Sequence, residues 1–417
     1  MPSSVTWKRT RSYAAVAALA LGGFGLVGTV TAASVVATAQ PALADGPGVG
    51  TPYVVSVGDS YISGEAGRWA GNTNKGESYH DALGNSAYWD NATNTAESIN
   101  RCHRSKSAEV FIGDGLLGKT LSCSGAKTAT AWDGDNFKPG LDFWTDGVNK
   151  GQALALKEFA QTRNVKVVAV SIGGNDFNFG SIVQTCVSNW ASSPTWAKNY
   201  CHDDSSVTAN FTSANVTAKT TAIKNALLNV SSAMTQAGYS ATQYTILVQN
   251  YMSPLPLSSG FRYAESGYTR QNTGGCGFWN ADANWANNSA LPTINSAVTN
   301  ALSQSGITNA RTLDLATAFN GRRLCENTVG LLEEKSLATW QSTGAVDKTE
   351  WINTIRTVTA CCGNYYIQES LHPNYWGQLA LRSCVRLAYN GGAPRSGRCT
   401  ILGTGKNAQG EPRMQLL

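Results

Sequence analysis

Three short polar segments carry the residues with which this sequence could do chemistry. Ser60 ends a Gly-Asp-Ser tripeptide after the apolar run 53–57, and Asn175 lies in Gly-Gly-Asn-Asp after a second apolar run, 165–170. His372 opens His-Pro-Asn near the C-terminus. A serine hydroxyl attacks carbonyl carbon once a base takes its proton, and imidazole is the usual base. These residue types therefore predict attack on an acyl group.

The same segments supply donors for the negative charge that develops on an attacked carbonyl. Backbone N–H groups at a strand-to-helix turn point outward, so the Ser60 N–H is one candidate. Gly125, in Cys-Ser-Gly, follows a weaker apolar segment, and a residue without a side chain lets its N–H approach a ligand closely. The side-chain amide of Asn175 is the third. We therefore predict an oxyanion hole made by Ser60, Gly125 and Asn175.

Taken in order, these residues resemble the conserved blocks of the SGNH or GDSL hydrolase superfamily. Gly-Asp-Ser fits the first block, Cys-Ser-Gly with Gly125 the second, Gly-Gly-Asn-Asp with Asn175 the third, and His-Pro-Asn with His372 the fifth. The matched positions are few, but they extend over residues 54–387. The resemblance implies Ser60 as nucleophile and His372 as base.

Two positions depart from that pattern. Tyr61 stands where the GDSL name expects leucine, a change expected to affect packing more than chemistry. Glu369 stands three residues before His372, where many members have aspartate. We predict Glu369 as the group that orients the imidazole. The alternative that the resemblance offers is the backbone carbonyl of Ser370, and Asp59 is expected to hold the nucleophile turn without taking part in proton transfer.

Simpler interpretations exist for each residue. Ser60 could be only a helix N-cap, and Asn175 with Asp176 could be only a turn, because these residue types are common in both settings. The tryptophans are expected to pack in the core and loops rather than to form a binding platform. Three further histidines have no partner pattern and are expected to be structural or exposed: His80, His103 and His202.

The elements that must position these residues alternate between strands and helices. Apolar runs predict strands at 53–57, 165–171, 244–249, 311–315 and, more weakly, 119–122. Apolar residues recurring at helical spacing predict an amphipathic helix over 216–234, ended by Gly238, and a C-terminal helix over 375–389. The pattern predicts an α/β fold, namely a flavodoxin-like, three-layer α/β/α sandwich. Its central parallel sheet is expected to have about five strands, and long insertions pinned by disulfides are expected between the elements.

The N-terminus has the composition of an export signal. A basic stretch precedes a long uncharged Ala/Gly/Val/Leu run that ends in Ala-Leu-Ala at residue 44. We predict a secretory signal peptide over 1–44 and a single hydrolase domain over 45–417, with an uncleaved membrane anchor as the alternative. The chain carries 32 basic and 27 acidic residues, of which 29 and 27 remain after residue 44. A net charge of +2 indicates no nucleic-acid partner.

Ten cysteines lie after the predicted signal, which in an exported chain predicts five disulfides. Sequence proximity suggests pairing of Cys102 with Cys123 and of Cys186 with Cys201. Adjacent cysteines would strain the peptide between them if bonded to each other, so separate partners are expected for Cys361 and Cys362.

The sequence thus predicts a secreted, metal-independent serine ester hydrolase that needs no cofactor. By resemblance to secreted streptomycete lipolytic proteins, the expected reaction is removal of fatty acyl groups from phospholipids, as phospholipase B-type enzymes do. Expected partners are a lipid or other ester substrate and, transiently, a membrane or micelle surface, and a monomer is expected. The alternatives are a lipase or a carbohydrate or aryl esterase and, outside enzymes, a glycan-binding module.

Overall fold

The computed structural model describes residues 46–360, 363–366 and 368–417. The predicted signal peptide lies outside these residues. The strands are β1 (Pro52–Gly58), β2 (Leu117–Thr120), β3 (Ala131–Asp133), β4 (Asn136–Lys138), β5 (Asn164–Ser171), β6 (Thr245–Gln249), β7 (Ala310–Asp314), β8 (Thr357–Ala360), β9 (Gly363–Tyr366), β10 (Gly397–Lys406) and β11 (Pro412–Leu416).

The helices are α1 (Ser60–Ser63), α2 (Gln152–Ala160), α3 (Phe179–Ser192), α4 (Ser205–Thr208), α5 (Ser213–Gln236), α6 (Thr269–Asn272), α7 (Asn280–Trp285), α8 (Leu291–Ser305), α9 (Ala345–Lys348) and α10 (Tyr375–Tyr389). A π-helical turn, Ala286–Ala290, joins α7 to α8. Among the described residues, no helix combines the length and apolar character needed to cross a bilayer.

One large sheet organises the described part of the chain. Its seven strands run in the order β11-β10-β7-β6-β5-β1-β2, and each neighbouring pair is parallel except β10 and β11. The five predicted strands are β2, β1, β5, β6 and β7. Renumbered among themselves in chain order, they lie in the order 2-1-3-4-5, which is that of doubly wound sheets with helices on both faces. The fold is mixed α/β, and its three-layer arrangement stays a prediction.

The sheet is wider than the predicted five strands because β10 and β11 extend it. β10 has only one fully buried position among its ten residues, Cys399, and most of the others alternate between half-buried and exposed. Such a strand carries no continuous apolar run, which is the signal that indicated the central strands. The edge hairpin was therefore absent from the prediction.

The two predicted helices are confirmed, and a third was overlooked. α5 buries Ile223, Leu227 and Met234, and α10 has the predicted bounds. Segment 177–212, for which the sequence analysis predicted no helix, contains the fourteen-residue helix α3. Its buried residues Val183, Cys186, Val187 and Trp190 recur at helical spacing, so the signal was present in the sequence.

Four disulfides join eight cysteines of the described residues. The predicted pairs Cys102–Cys123 and Cys186–Cys201 are confirmed. The other two are Cys276–Cys325 and Cys384–Cys399. Cys361 and Cys362 lie outside the described residues. The other eight cysteines pair with one another, so the described residues offer no separate partner for these two, and the fifth disulfide stays a prediction.

Candidate active site

Three strand ends meet at one edge of the sheet. β1 lies between β2 and β5, with Ser56 opposite Thr120 and Gly58 opposite Ser171. The loops that follow these three strands carry Ser60, Gly125 and Asn175, so parallel pairing brings together residues that are far apart in the chain. In doubly wound sheets this edge, where the strand order reverses, is the usual ligand site.

The nucleophile turn after β1 depends on a glycine. Gly58 has a φ of +134°, and a Cβ there would lie 1.9 Å from the carbonyl oxygen of Ser171. Glycine alone lets the turn approach β5, where the Asp59 N–H donates to that carbonyl at 2.9 Å. Asp59 is the N-cap of α1, and its side chain accepts from the Tyr61 N–H at 3.1 Å. Ser60 is therefore not the cap, and its side chain is left for another role.

Ser60 and His372 are in direct contact. The Ser60 Oγ lies 2.7 Å from His372 Nε2, and both side chains are buried. On the other side of the ring, Nδ1 lies 2.9 Å from the Ser370 carbonyl oxygen. A carbonyl can only accept, so Nδ1 carries the ring proton and Nε2 is free to accept the serine proton. This is the geometry that serine activation requires.

Glu369 does not occupy the orienting position predicted for it. Its carboxylate accepts hydrogen bonds from Trp69 Nε1 at 2.7 Å and from the Tyr88 hydroxyl. The Ser370 carbonyl stands against Nδ1 instead, which is the alternative that the sequence left open. The reason is local: the backbone carbonyl two residues before the histidine reaches its ring, while the Glu369 side chain points to Trp69 and Tyr88.

The three predicted oxyanion donors line one cleft together with His372. The Ser60 N–H is at the first position of α1, where no intrahelical acceptor exists. Gly125 has a φ of +81°, a conformation that favours glycine. Asn175 Nδ2 donates to the Ala126 carbonyl at 2.9 Å, and because an amide nitrogen carries two hydrogens, one remains for a ligand. α1 is a single turn, so its contribution is this N–H rather than a helix dipole.

Tyr251 fastens the nucleophile turn to the Asn175 loop, a role that the sequence did not indicate. Its hydroxyl donates to the Asp59 carboxylate and accepts from the Gly174 N–H at 2.9 Å. Burial raises the pKa of Asp59 to about 7, although the bonds from Tyr251 and Tyr61 oppose this. Asp59 thus acts within the turn as predicted.

Tyr61, the departure from leucine, contacts the histidine loop. Its hydroxyl donates to the Leu371 carbonyl at 3.1 Å, and its ring centre lies 5.1 Å from that of His372. Leu371 has a φ of +60°, an unusual conformation for a residue with a side chain. The tyrosine therefore helps to hold a strained turn that fixes the imidazole.

A buried ion pair lies behind the cleft. His103 Nδ1 is 2.6 Å from Glu65 Oε1, and Gln368 Nε2 donates both to Glu65 at 3.0 Å and to Ser124 at 2.7 Å. Burial would raise the pKa of Glu65, but the charge and hydrogen bond of His103 lower it to about 2. Burial would lower the pKa of His103, but Glu65 raises it to about 9. Both are therefore charged at neutral pH.

These charges act on His372. Burial lowers its pKa below the usual value, and the Glu65 charge opposes that shift. Glu65, His103 and Glu369 bring three ligand-type atoms within 4.8 Å of one another. Each of these atoms is already engaged, Glu65 with His103 and Glu369 with Trp69 and Tyr88. The group is therefore explained as a hydrogen-bonded network, without a metal ion.

The other two histidines lie elsewhere. His80 bonds to the Gly71 carbonyl at 3.2 Å and stacks on Trp69, while His202 pairs with the buried Asp282 at 2.6 Å. Both have structural partners, as predicted. His103, expected to be similar, belongs to the network beside the cleft.

An apolar cavity and a polar cleft both open beside Ser60. An apolar cavity begins at Ser60 and Tyr61 and continues into a second of about 70 Å³; the two share Phe179, Pro254, Leu291 and Ile294. On the other side lies a polar cleft of about 450 Å³. Besides the imidazole of His372, the ionisable side chains that line it are Arg101, Lys138 and Asp133.

Comparisons with known proteins give a distant likeness only. No family model matches this chain, and no curated protein matches it. Among solved structures, an extracellular lipase from Streptomyces rimosus is 18% identical, with 80% of this chain and 100% of the lipase covered and a TM-score of 0.40. A phospholipase A1 from Streptomyces albidoflavus is 17% identical, with 81% and 98% covered and a TM-score of 0.40. The function proposed next therefore rests on the site itself.

Proposed function

We propose that this protein is a secreted serine ester hydrolase that removes fatty acyl groups from phospholipids. The observation that carries the proposal is the 2.7 Å contact between Ser60 Oγ and His372 Nε2, placed where an apolar cavity and a polar cleft meet. The order of the four blocks further supports membership of the SGNH hydrolases.

In the proposed reaction, the Ser60 Oγ attacks the acyl carbonyl carbon while its proton passes to His372 Nε2. The tetrahedral oxyanion is held by the Ser60 N–H, the Gly125 N–H and the free hydrogen of the Asn175 amide. His372 then gives the proton to the leaving oxygen, the ester C–O bond breaks, and the acyl group stays on Ser60. Water, deprotonated by the same imidazole, releases the fatty acid and restores the hydroxyl.

The apolar cavity and the polar cleft support the proposed preference for phospholipids. The first carbons of a fatty acyl chain would enter the apolar cavity beyond Ser60, and transfer of each buried methylene from water contributes about 0.8 kcal/mol. The leaving alcohol then faces the polar cleft, where Arg101 and Lys138 offer positive charge to a phosphate and Asp133 offers a carboxylate. An acetyl ester would leave the cavity unfilled, which favours the lipolytic function over a carbohydrate esterase.

Activity assays on variants test this mechanism. Ser60→Ala and His372→Ala should each lower kcat by about four to six orders of magnitude with the fold intact. Asn175→Ala should cost about a hundredfold to a thousandfold. His202→Ala, a histidine outside the site, should retain the rate and serves as the matched control. Near-normal turnover of Ser60→Ala would exclude the mechanism.

Product analysis on phosphatidylcholine tests the finer assignment. A phospholipase B-type enzyme releases two fatty acids and glycerophosphocholine, with lysophospholipid only as a transient, and needs no metal, so chelator should leave it active. Stable lysophospholipid would indicate an A-type enzyme. Release of acetate from sugar or aryl esters without any cleavage of phospholipid would reject the lipolytic proposal.

A further inference from the structure

A small hairpin beside the cleft presents different chemistry on its two faces. β3 pairs antiparallel with β4, with Trp132 opposite Phe137 and Asp133 opposite Asn136. Side chains alternate between the faces of a strand, so Trp132 and Phe137 share one face and Asp133 and Lys138 share the other. Asp133 and Lys138 line the polar cleft with Ser60. The aromatic face therefore lies on the side of the hairpin that is turned away from the cleft, and its rings do not line the active site.

The two tryptophans of this face are exposed, and each packs against the buried ring of Phe137. The rings of Trp132 and Phe137 are 5.3 Å apart, and those of Phe137 and Trp144 are 5.6 Å apart. Trp132 and Trp144 are 54% and 36% exposed, and Val148, on the loop that follows Trp144, is 85% exposed. We call Trp132, Phe137, Trp144 and Val148 the aromatic patch. Exposed tryptophans grouped in this way mark interaction surfaces rather than core packing.

The patch is fixed firmly to the nucleophile turn. Asp142 accepts from the Thr130 N–H at 2.6 Å and the Trp144 N–H at 3.2 Å, which ties the base of the hairpin to Trp144. Gln152 Nε2 donates to the carbonyls of Pro139 and Gly58, each at 2.8 Å. Gly58 lies two residues before Ser60. A surface bound by the patch is thereby held at a set position relative to the cleft.

The charged residues around the aromatic patch indicate which kind of surface can bind there. Segment 131–150 carries four aspartates against two lysines. Lys138 is buried, and Lys150 is paired with Glu158 at 2.7 Å, whereas Asp133, Asp135 and Asp146 are exposed. A polyanionic surface would be repelled here. A zwitterionic lipid surface would not, and tryptophan side chains favour the interface between headgroups and acyl chains.

We propose that the aromatic patch docks the protein on zwitterionic phospholipid surfaces, with the active-site cleft beside the point of contact. This deepens the proposed function and rests on it. A lipid with long acyl chains is held in aggregates, so the cleft must come to the aggregate surface before one acyl chain can enter the apolar cavity.

Binding is tested apart from hydrolysis by using the inactive Ser60→Ala protein and sedimentation with phosphatidylcholine vesicles. In that background, Trp132→Ala and Trp144→Ala should each weaken binding about tenfold, because each variant loses the exposed part of an indole ring from the contact with lipid. Val148→Asp, at a fully solvated position, should weaken it without affecting the fold. Trp196→Ala is the matched control, because Trp196 is 88% exposed and lies beyond the C-terminal end of α3, whereas it is the N-terminal half of that helix that lines the cleft.

Activity separates docking from chemistry. With active protein, Trp132→Ala should slow the hydrolysis of phosphatidylcholine vesicles about tenfold, yet leave the rate on dissolved p-nitrophenyl acetate within twofold. Unchanged vesicle binding in both tryptophan variants would overturn the docking proposal while leaving the hydrolase proposal standing. Binding that requires anionic lipid and vanishes with salt, or binding to insoluble xylan through Trp132, would also overturn it. Vesicle binding by the patch in a protein that cleaves no phospholipid would instead reject the proposed function.

Discussion

The exchange Glu369→Gln separates two explanations for how His372 is oriented. In a serine triad the carboxylate beside the imidazole contributes about four orders of magnitude to kcat, or about 5.5 kcal/mol. In this structure Nδ1 bonds to the Ser370 carbonyl, and the Glu369 carboxylate bonds to Trp69 and Tyr88. We therefore expect kcat to fall less than tenfold in this variant.

The same exchange should reduce stability by a predictable amount. The glutamine oxygen can still accept from Trp69, and its NH₂ can donate to the Tyr88 hydroxyl oxygen, so both hydrogen bonds persist without the charge. A hydrogen bond to a charged group contributes about 1 kcal/mol more than a neutral one, which gives a loss of about 2 kcal/mol for the two bonds. Thermal unfolding measures this loss, and kcat on a soluble p-nitrophenyl ester measures the rate.

The structural assignment requires that Glu369→Gln lower Tm while kcat stays nearly normal. Glu369→Ala serves as a second variant, because it removes both hydrogen bonds and should lower Tm further while still sparing kcat. A thousandfold fall of kcat in Glu369→Gln with Tm unchanged would refute the structural assignment and restore the carboxylate as the orienting group.

Three further predictions follow from buried groups. Burial raises the pKa of Glu109 to about 8 from 4.5, so the folded protein keeps a proton that the unfolded chain loses and the free energy of unfolding falls as pH rises between these values. Glu109→Gln should therefore raise Tm at pH 8 but not at pH 4.5, and parallel melting profiles would count against this. Since burial lowers the pKa of His372, kcat/KM on a soluble ester should decline only below pH 6.5, and an acid limb centred above pH 7 would contradict it. Tyr61→Phe removes the bond to Leu371, so unfolding should cost about 1 kcal/mol less and kcat should fall within tenfold, whereas an unchanged Tm would mean that the hydroxyl is not needed.

The predictable part of the fold follows from continuous apolar runs and helical spacing. The central strands contain uninterrupted buried apolar runs, as in residues 167–170, and so they were found from the sequence. Their carboxyl ends then placed Ser60, Gly125 and Asn175 at one edge. In the edge hairpin of β10 and β11, and in the three-residue strands β3 and β4, buried positions are separated by more exposed ones or are too few to form such a run. These strands could therefore not be found in this way.

The supporting residues of the site could not be predicted, because their contacts join distant parts of the chain. Gln152 reaches Gly58 across 94 positions, and Tyr251 reaches Asp59 across 192. Neither residue lies in a recognisable motif. The carboxylate at Glu369 was preferred because a side chain leaves a signal in the sequence, whereas every residue has a carbonyl, and only the backbone path decides whether that of Ser370 reaches the ring.

With a carbonyl in the orienting position, the positive charge that forms on His372 must be stabilised by another group. It accepts the Nδ1–H and fixes the ring, but it carries only a dipole, whereas the imidazolium formed during attack carries a full charge. Glu65 is fully buried, ionised, and linked through Gln368 to the loop of His372. Its charge raises the pKa of His372 against the effects of burial and of the His103 charge. We infer that orientation and charge stabilisation, which one carboxylate provides in a triad, are divided here between the Ser370 carbonyl and Glu65.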